Sequence, residues 1–462
     1  MENEFLRRLP NMNTLLEHPL LRGETRARVK AAARVVLDAL RADVRSDTLE
    51  AVPSADECAA RVLELLRQER QPSLRGVVNA TGIVLHTNLG RAPLGEELYR
   101  RAEAVFTGYS NLEYDLASGS RGSRHAHVEQ LICALTGAEA AMVVNNNAAA
   151  VFLMLAAVAG GRQVAISRGE LVEIGGSFRV PDIMDRSGAA LYEVGTTNRT
   201  RLSDYAAAID DGAGALLKVH TSNYEIVGFT ESVSVSALAG LARERGLPLL
   251  YDMGSCFLFD PQLAWLRDCM TARSGIADGA DVICFSGDKL MGGTQAGIAA
   301  GRKDLIERMK KHPLSRMLRP DKLTLQVLES ALEISRYPDE AKRQLPALGM
   351  LSAAEEKLKA RAEALEAQLR PLFPDWKLQT VPVSDETGGG SLPNVEIPGW
   401  AVSLIPDDRS VDALEEALRN GETPVIARIR EGALLLSVRT LLDGDEEKLL
   451  RAFSQLPVAA DS

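Results

Sequence analysis

The sequence predicts an α/β protein built on a mainly parallel central sheet, with a small helical domain before the sheet and an α+β domain after it. Between residues 126 and 302, short apolar runs alternate with helical stretches at the spacing of βα crossovers. Amphipathic helical spacing dominates the first 72 residues, and beyond residue 346 helical and strand-like patterns are mixed. We therefore expect domains at 1–72, 73–302 and 303–462, with 73–125 as a linker or arm.

Length and composition are ordinary for a globular protein with several domains. The chain has 462 residues, of which 46% are hydrophobic, and its net charge of -10 gives no general basic field for nucleic acid. The five cysteines are scattered without metal-ligand spacing, which predicts reduced thiols in the cytoplasm and no metal site. No segment is apolar enough to span a membrane, and the N-terminus has no signal-peptide pattern.

The first domain is expected to hold one helix over residues 24–43 and another over 56–70, followed by a linker at 71–73. The apolar residues of the first helix recur at steps of three and four, and four basic residues fall on the opposite face: Arg26, Lys30, Arg34 and Arg41. This basic face either binds phosphates or is simply solvated, and spacing alone favours the solvated face.

Residues 77–94 are strand-like until Asn88, Gly90 and Pro93 break the pattern. Arg91 lies in this break, where its guanidinium either grips an oxyanion or lies on the surface like most arginines. The loop at 115–125 is small, polar and basic, so it either cradles a phosphate or is mobile.

Seven strands are expected in the central domain, with helical stretches between most of them. Ligands of such sheets lie at the carboxyl ends of the parallel strands. The predicted strands are 141–145, 163–167, 190–194, 215–219, 248–251, 282–285 and 297–300.

The run at 282–285 ends in a Ser-Gly-Asp-Lys turn, which we expect to be tight and exposed and to be followed by a return strand. A lysine at the mouth of an apolar site loses hydration of its ammonium form, so its pKa falls and its amine can attack a carbonyl. Lys289 is therefore a candidate for the Schiff-base lysine of pyridoxal phosphate (PLP). A solvated lysine after a strand is the alternative.

Two other strand ends fit the same cofactor. Asp252 follows the run at 248–251 and is a candidate partner for the protonated ring nitrogen, or else a helix cap. Asn146, Asn147 and Ala148 follow the run at 141–145 and open a helix, whose N-terminal amides favour a phosphate unless the segment is a plain turn. Two further residues are candidates for contacts with the cofactor. Ser286 would contribute its hydroxyl. His220 either contacts the cofactor ring or lies at the edge of the sheet with its hydrogen bonds made inside the protein.

The last third is expected to begin with basic helices over residues 303–345, where Arg316 and Arg319 are three apart and can point the same way. A helix at 353–369, a glycine-rich turn at 387–391, strands around 425–430 and 433–438, and a helix at 446–454 should follow.

Several motifs extend over nearly the whole chain. They are Asn-Ala-Thr-Gly at 79–82, His-Thr-Asn-Leu-Gly-Arg-Ala-Pro-Leu at 86–94, Asn-Leu-Glu-Tyr-Asp at 111–115, Gly-Ser-Arg-Gly-Ser-Arg at 119–124, Glu-Ile-Gly-Gly-Ser-Phe-Arg at 173–179, Lys-Val-His-Thr-Ser-Asn at 218–223, and residues 285–297 around Lys289. In this order they together resemble the motifs of bacterial selenocysteine synthases, the L-seryl-tRNA(Sec) selenium transferases.

The resemblance implies a fold-type-I PLP enzyme that assembles as a cytoplasmic homodecamer, a pentamer of dimers. It would convert seryl-tRNA(Sec) to selenocysteinyl-tRNA(Sec) with selenophosphate, through an aminoacrylyl-tRNA intermediate. Lys289 would be the Schiff-base lysine and Asp288 part of its motif, while Arg91, Arg316 and Arg319 would hold the oxyanion of the selenium donor. The first domain would bind tRNA. The resemblance thus favours phosphate binding by the basic face of the first helix, whereas spacing alone favours a solvated face.

The substrate that the resemblance implies has an esterified carboxyl group, so the site would need no arginine clamp for a free carboxylate, and we expect Arg439 to be structural. Two alternatives remain at this point. One is a PLP lyase or β-replacement enzyme acting on a free amino acid or amino sugar, which would not need the first domain. The other is an inactive tRNA-binding scaffold, against which the combination of Lys289, Asp252 and the phosphate turn argues.

Overall fold

The computed structural model describes residues 2–46, 48, 51–70, 72–175 and 178–456. The chain forms two compact units, Met1–Gly76 and Val77–Ser462. Gln71, in the predicted linker, and residues 176–177, in one of the motifs, lie outside the described residues. Within the described residues, no helix is long and apolar enough to cross a lipid bilayer.

The first unit is helical. Its helices are α1 (Glu2–Arg8), α2 (Met12–Leu16), α3 (Arg26–Arg45) and α4 (Ala55–Arg70). Helix α3 buries Val29, Leu37 and Leu40 against α4, whereas Val36, which the spacing placed inward, is only half-buried. The two predicted helices are α3 and α4; α1 and α2 were not predicted because each is too short for its apolar spacing to repeat.

The second unit contains two main sheets. Its strands are β1 (Val78–Asn79), β2 (Tyr114–Asp115), β3 (Ser120–Arg121), β4 (Ala140–Val144), β5 (Gln163–Ser167), β6 (Glu173–Ile174), β7 (Phe178–Arg179), β8 (Ala190–Val194), β9 (Ala215–Val219), β10 (Leu249–Gly254), β11 (Val282–Ser286), β12 (Gly297–Gly301), β13 (Lys377–Glu386), β14 (Glu396–Ile405), β15 (Val425–Ile426), β16 (Arg428–Arg430) and β17 (Ala433–Ser437). Its helices are α5 (Gly95–Thr107), α6 (Ala126–Thr136), α7 (Asn147–Met154), α8 (Val180–Arg186), α9 (Leu202–Asp210), α10 (Val235–Arg245), α11 (Ala272–Ala277), α12 (Lys303–Lys311), α13 (Pro313–Met317), α14 (Lys322–Ser335), α15 (Pro338–Gln344), α16 (Pro346–Ser352), α17 (Glu355–Leu369), α18 (Val411–Arg419) and α19 (Asp445–Ser454).

The larger sheet has the strand order β4-β12-β11-β10-β9-β5-β8. All its neighbouring strands run parallel except β12, which is antiparallel to both β11 and β4. All seven predicted strands are present, and β12 is the predicted return strand. Most boundaries agree within one residue, but β10 continues to Gly254, so Asp252 lies inside the strand rather than after it. The register of β10 against β11 shifts between Asp252 and Gly254, which indicates a bulge.

The smaller sheet is antiparallel, with the order β13-β14-β17-β16. Its two longest strands, β13 and β14, were not predicted. Pro382 lies in β13 and Pro398 in β14, and a proline within an apolar run argues against a strand. The strand predicted at 425–430 is divided: Val425 and Ile426 pair in parallel with β1, and only residues 428–430 pair with β17. Only two residues of the strand-like segment at 77–94 form a strand, because its Asn, Gly and Pro residues favour turns.

Candidate active site

The turn between β11 and β12 holds Lys289 in a buried position. Lys289 is 4% exposed, and Ser286 and Asp288 beside it are also buried, so the prediction of an exposed turn was wrong. The backbone of Ala92 donates to the carbonyl of Asp288 at 3.2 Å and so covers the turn. Glycines keep the turn tight: a Cβ on Gly287 would lie 2.6 Å from the carbonyl oxygen of Thr294.

A cavity of about 250 Å³, here called the Lys289 cavity, opens at this turn. It brings together seven residues that were predicted from the sequence to belong to one site. The lining residues are Arg91, Asn146, Asn147, Ala148, Gly175, Gly254, Ser286, Asp288, Lys289 and Gln295.

Burial lowers the pKa of the Lys289 amine, and the positive charge of Arg91 lowers it further. The carboxylates of Asp288 and Asp252 oppose both effects. The balance favours an amine with a larger neutral fraction than a lysine in water, which is the form that attacks a carbonyl carbon.

The turn between β4 and α7 forms the second side of the cavity. The side-chain oxygen of Asn146 accepts from the amide of Ala149 at 2.9 Å and caps α7. This turn packs against β12, where a Cβ on Gly297 would lie 2.0 Å from the carbonyl oxygen of Asn146, so only glycine fits there. The first amides of α7 thus face the cavity with the positive end of the helix dipole.

Asp252 lies at the base of the site and is 2% exposed. Its Oδ1 accepts from the side-chain amide of Asn147 at 2.8 Å and from the backbone amide of Gly254 at 2.9 Å. Burial raises the pKa of the Asp252 carboxyl, and these two hydrogen bonds and the charge of Lys289 oppose that rise. No described residue donates to Oδ2, which leaves that oxygen for a cationic donor.

Arg91 reaches the cavity from a strained turn. It has a left-handed φ of 64° after Gly90, an uncommon conformation for a residue with a side chain. Its amide donates to the carbonyl of His86 at 3.1 Å, and its Nε lies 3.7 Å from Oδ2 of Asp288. Such strain, maintained by the surrounding contacts, is typical of functional sites.

Four of the residues predicted to contact the cofactor or the selenium donor do not line the Lys289 cavity: Asp252, described above, and His220, Arg316 and Arg319. The backbone amide of His220 donates to the carbonyl of Asp252 at 2.8 Å, but its side chain lines a neighbouring cavity with Glu170 and Lys218. Burial lowers the pKa of the His220 imidazole. Arg316 and Arg319 are exposed on and after α13, a segment held near the phosphate turn by the hydrogen bond from the Asn145 amide to the carbonyl of Leu318.

The structure adds residues that the sequence did not single out. Glu113 lies 3.3 Å from Arg319 and also pairs with Arg121 and Arg124, so one carboxylate serves three guanidinium groups. Gln295 lines the Lys289 cavity. Gln295 follows the Gly-Gly-Thr motif and could have been noticed, whereas the partners of Glu113 are too distant in sequence to be predicted.

Within the first unit, Arg26, Lys30, Arg34 and Arg41 are all exposed on α3. Arg41 pairs with Asp38 at 2.7 Å. The other three have no ion-pair partner among the described residues, so their charges face solvent.

Comparison with known proteins shows the family of this chain. The sequence model of the family described as SelA, L-seryl-tRNA selenium transferase, matches residues 77–442. A protein of Geobacter sulfurreducens named L-seryl-tRNA(Sec) selenium transferase is 47% identical over 97% of this chain and 98% of its own length. One of the same name from Moorella thermoacetica is 46% identical over 98% of this chain and 97% of its own.

Among solved structures, D-glucosaminate-6-phosphate ammonia-lyase matches 85% of this chain and 97% of its own, with a TM-score of 0.57 and 19% identity. This likeness concerns the fold, and the predicted fold-type-I architecture is confirmed. The relatives also extend over the helical first unit. The comparisons favour neither of the two alternatives, a PLP enzyme that acts on a free amino acid or amino sugar and an inactive tRNA-binding scaffold. The resemblance drawn from the motifs is confirmed, and the chain belongs to the L-seryl-tRNA selenium transferase family.

Proposed function

We propose that this enzyme converts L-seryl-tRNA(Sec) to L-selenocysteinyl-tRNA(Sec), using pyridoxal phosphate as cofactor and selenophosphate as selenium donor. The observation that carries the proposal is the buried Lys289 amine, which shares one site with Asp252 and the N-terminus of α7 in a chain of this family. When bound, pyridoxal phosphate supplies a conjugated ring that takes up the electron pair released at the substrate Cα.

The residues present fit this cofactor. The amides of Asn147 and Ala148, with the hydroxyl of Ser286, would hold its phosphate. The free Oδ2 of Asp252 would accept from its ring nitrogen. Asn147 Oδ1 is a buried acceptor without a partner among the described residues, as expected beside a site that a polar ligand fills.

Lys289 then acts on the seryl group as a general base. Its lowered pKa allows the neutral amine to accept the Cα proton and later to return it. Asp288, whose Oδ2 lies near Arg91, stabilises the protonated amine between these steps. We infer that His220 holds the floor of the site through its backbone bond to Asp252, while a contact of its ring with the cofactor remains a prediction.

Arg439 is not placed to bind a carboxylate of the substrate, in agreement with a substrate that has no free carboxylate. Its Nε donates to Oδ2 of Asp385 at 2.9 Å, and its other nitrogens donate to the carbonyls of Met350 and Pro398. The side chain is 1% exposed, so it has no donor to offer a substrate. This supports a substrate whose carboxyl group is esterified.

The selenium donor is an anion, and three arginines are candidates to bind it, one inside the Lys289 cavity and two outside it. Arg91 lines the Lys289 cavity. Arg316 has no ion-pair partner among the described residues, and Arg319 contacts Glu113 only at 3.3 Å, so both guanidinium groups are available to an oxyanion. We infer that these three hold selenophosphate.

We also infer that the enzyme is a homo-oligomer, expected from the family to be a decamer. Four exposed apolar side chains lie within four positions in sequence of Glu113 or Arg319: Tyr109, Tyr114, Leu116 and Met317. Large exposed apolar side chains grouped in this way are typical of an interface between chains.

The exposed basic face of α3 supports tRNA binding by the first unit. The five free cysteines agree with a cytoplasmic location.

The test follows the cofactor absorbance of the full-length holoenzyme while seryl-tRNA(Sec), seryl-tRNA(Ser) or free serine is added. Seryl-tRNA(Sec) alone should shift the spectrum and, with selenophosphate, yield selenocysteinyl-tRNA. Lys289→Ala should lose the visible band of the bound cofactor. A band that survives Lys289→Ala removes the lysine assignment, and a response to free serine favours an amino-acid enzyme.

A further inference from the structure

A second cavity, of about 470 Å³, adjoins the Lys289 cavity and takes no part in the chemistry described above. We call it the glycine-loop cavity, because the loop of residues 387–395 forms one wall. Gly388, Gly389 and Gly390 are consecutive and all have positive φ, so the loop backbone follows a path that other residues rarely adopt. Ser222 and Asn223, after β9, and Arg428 and Arg430, in β16, form the other walls. Its volume is in the range of ligand-binding pockets, about 300–1,000 Å³.

Two buried hydroxyl groups line this cavity without a partner. Ser222 is 2% exposed and Thr387 is 1% exposed, and neither side-chain oxygen makes a hydrogen bond within the described part of the chain. The half-buried Gly390 also lines the cavity, and its backbone amide donates to no acceptor in that part either. Buried polar groups are almost always paired, because an unpaired one costs the chain its desolvation energy. Unpaired groups from separate segments around one cavity therefore indicate a polar ligand.

Hydrogen bonds connect this cavity to the catalytic lysine. The hydroxyl of Ser391, in the glycine loop, lies 2.8 Å from that of Ser255, which accepts from the amide of Leu290 at 3.4 Å. Leu290 is the residue after Lys289. On the other wall, the hydroxyl of Ser222 lies 3.1 Å from where a Cβ on Gly254 would be, and Gly254 lines the Lys289 cavity. The walls of the two cavities are thus in contact at Ser222 and Gly254.

The charges around the cavity restrict the class of ligand. Arg428 and Arg430 are matched by Glu386 and Glu396 among the lining residues, so the wall has no net charge. A small multiply charged anion is disfavoured by that balance. A nucleotide unit within a chain, with one phosphodiester charge, several hydroxyls and an amino group, suits it well. Arg430 is largely exposed and its nearest carboxylate, Glu431, is 3.7 Å away, so it can contact the phosphodiester.

We propose that the glycine-loop cavity binds the 3′-terminal nucleotide of the aminoacylated RNA. This inference rests on the proposed function, because the seryl group is esterified to that nucleotide and must reach Lys289. Ser222, Thr387 and the loop amides hydrogen-bond the terminal ribose and base, and Arg430 contacts the phosphodiester.

The test titrates the trinucleotide cytidylyl-cytidylyl-adenosine, the 3′ end of tRNA, into the full-length holoenzyme by calorimetry. Ser222→Ala and Thr387→Val should each weaken binding about fivefold to tenfold, as expected for one lost hydrogen bond. Arg430→Ala should lower the slope of log K against log salt by about 0.7, the value for one contact to a single strand. Ser352→Ala is the matched control, since its hydroxyl is also buried and unpaired but lines a different cavity. It should leave trinucleotide binding unchanged.

Stability separates a ligand role from a structural one. Thr387→Val keeps the shape and removes an unpaired group, so its melting temperature should equal or exceed that of the unmodified protein. A lower melting temperature with unchanged trinucleotide binding would mean that the hydroxyl serves the fold, and the inference would be wrong. Absence of trinucleotide binding by the unmodified holoenzyme would also overturn it.

Kinetics separates this inference from the proposed function. In selenium transfer, Thr387→Val should raise the KM for seryl-tRNA(Sec) and leave kcat nearly unchanged. If the unmodified enzyme transfers selenium but KM does not respond, only the cavity assignment fails. If the unmodified enzyme does not act on seryl-tRNA(Sec), the proposed function fails, and the trinucleotide titration still decides whether the cavity binds an RNA end.

Discussion

The side-chain amide of Asn147 donates a 2.8 Å hydrogen bond to Oδ1 of Asp252, which joins the first residue of α7 to strand β10. The two ends of the proposed cofactor site are therefore fixed to each other: the helix N-terminus that would hold the phosphate and the carboxylate that would hold the ring nitrogen. The bond also favours the charged form of Asp252, because it opposes the rise in pKa that burial causes.

Asn147→Ala should weaken the binding of pyridoxal phosphate about tenfold. The change removes a hydrogen bond to a charged group, which contributes about 1.5–3 kcal/mol, and frees Asp252 to become protonated. The measurement is an absorbance titration of the apoprotein with the cofactor. Asn198→Ala is the control, because its side-chain amide donates to the carbonyl of Phe229 and does not line the Lys289 cavity. Equal affinities in the two variants would show that the Asn147–Asp252 bond does not organise the site.

Arg439→Met should destabilise the fold rather than alter substrate choice. Arg439 is the buried partner of Asp385, and removal of one member of a buried ion pair costs about 3–5 kcal/mol. The loss should lie near the lower value, because Asp385 keeps a second ion pair with Arg428 at 3.5 Å. Urea unfolding measures the loss, and Asp385→Asn combined with Arg439→Met should recover most of it. Undiminished stability together with lost seryl-tRNA binding would mean that Arg439 contacts the substrate after all.

The parts of the site that could be predicted are those marked by local sequence. Lys289 and Asp252 follow or end apolar runs, and the strands of a parallel sheet bring such ends together. The burial of Asp288 could not be predicted, since polar turn residues are usually exposed and the cover comes from Ala92, far away in the chain. The same holds for Glu113 beside Arg319, whose pairing depends on the tertiary fold.

Strand β14 of the C-terminal sheet could not be predicted from the sequence for a different reason. Pro398 interrupts the apolar pattern of β14, yet that strand is in the interior of the sheet. Its carbonyl accepts a hydrogen bond from the buried Arg439, so a tertiary contact supports the strand where local propensity does not. Composition and periodicity contain no information about such a contact.

His125 should make the fold sensitive to acid. It lies beside Lys310, Glu129, Arg124 and Glu307, and burial lowers its pKa to about 4 from the ordinary 6.5. Because the folded-state pKa lies below the unfolded-state value, the stability contributed by neutral His125 is fully present above pH 6.5. That contribution is lost as the pH falls through 4.

The loss should amount to at most about 3 kcal/mol, and His125→Gln should remove it. The measurement is the free energy of urea unfolding at several pH values between 7.5 and about 4 for both proteins. The unmodified chain should lose more stability than the variant as the pH falls across this window. Parallel curves would show that His125 is protonated as easily in the folded chain as in the unfolded one.

The basic face of α3 allows a test with a control on the same helix. Arg34 is exposed without an ion-pair partner among the described residues, whereas Arg41 pairs with Asp38 at 2.7 Å. If this face contacts RNA phosphates, Arg34→Ala should make the dependence of the RNA-binding constant on salt concentration less steep. The slope of the logarithm of this constant against the logarithm of the salt concentration should decrease in magnitude by about 0.7–0.9. Arg41→Ala should lower it less, because Asp38 already offsets that charge. Fluorescence anisotropy with labelled tRNA(Sec) at several salt concentrations measures both slopes. Phosphates should contact the basic side chains that have no ion-pair partner within the protein. If Arg41→Ala changes the salt dependence as much as Arg34→Ala or more, the RNA does not bind preferentially at the unpaired arginine, and this prediction is wrong.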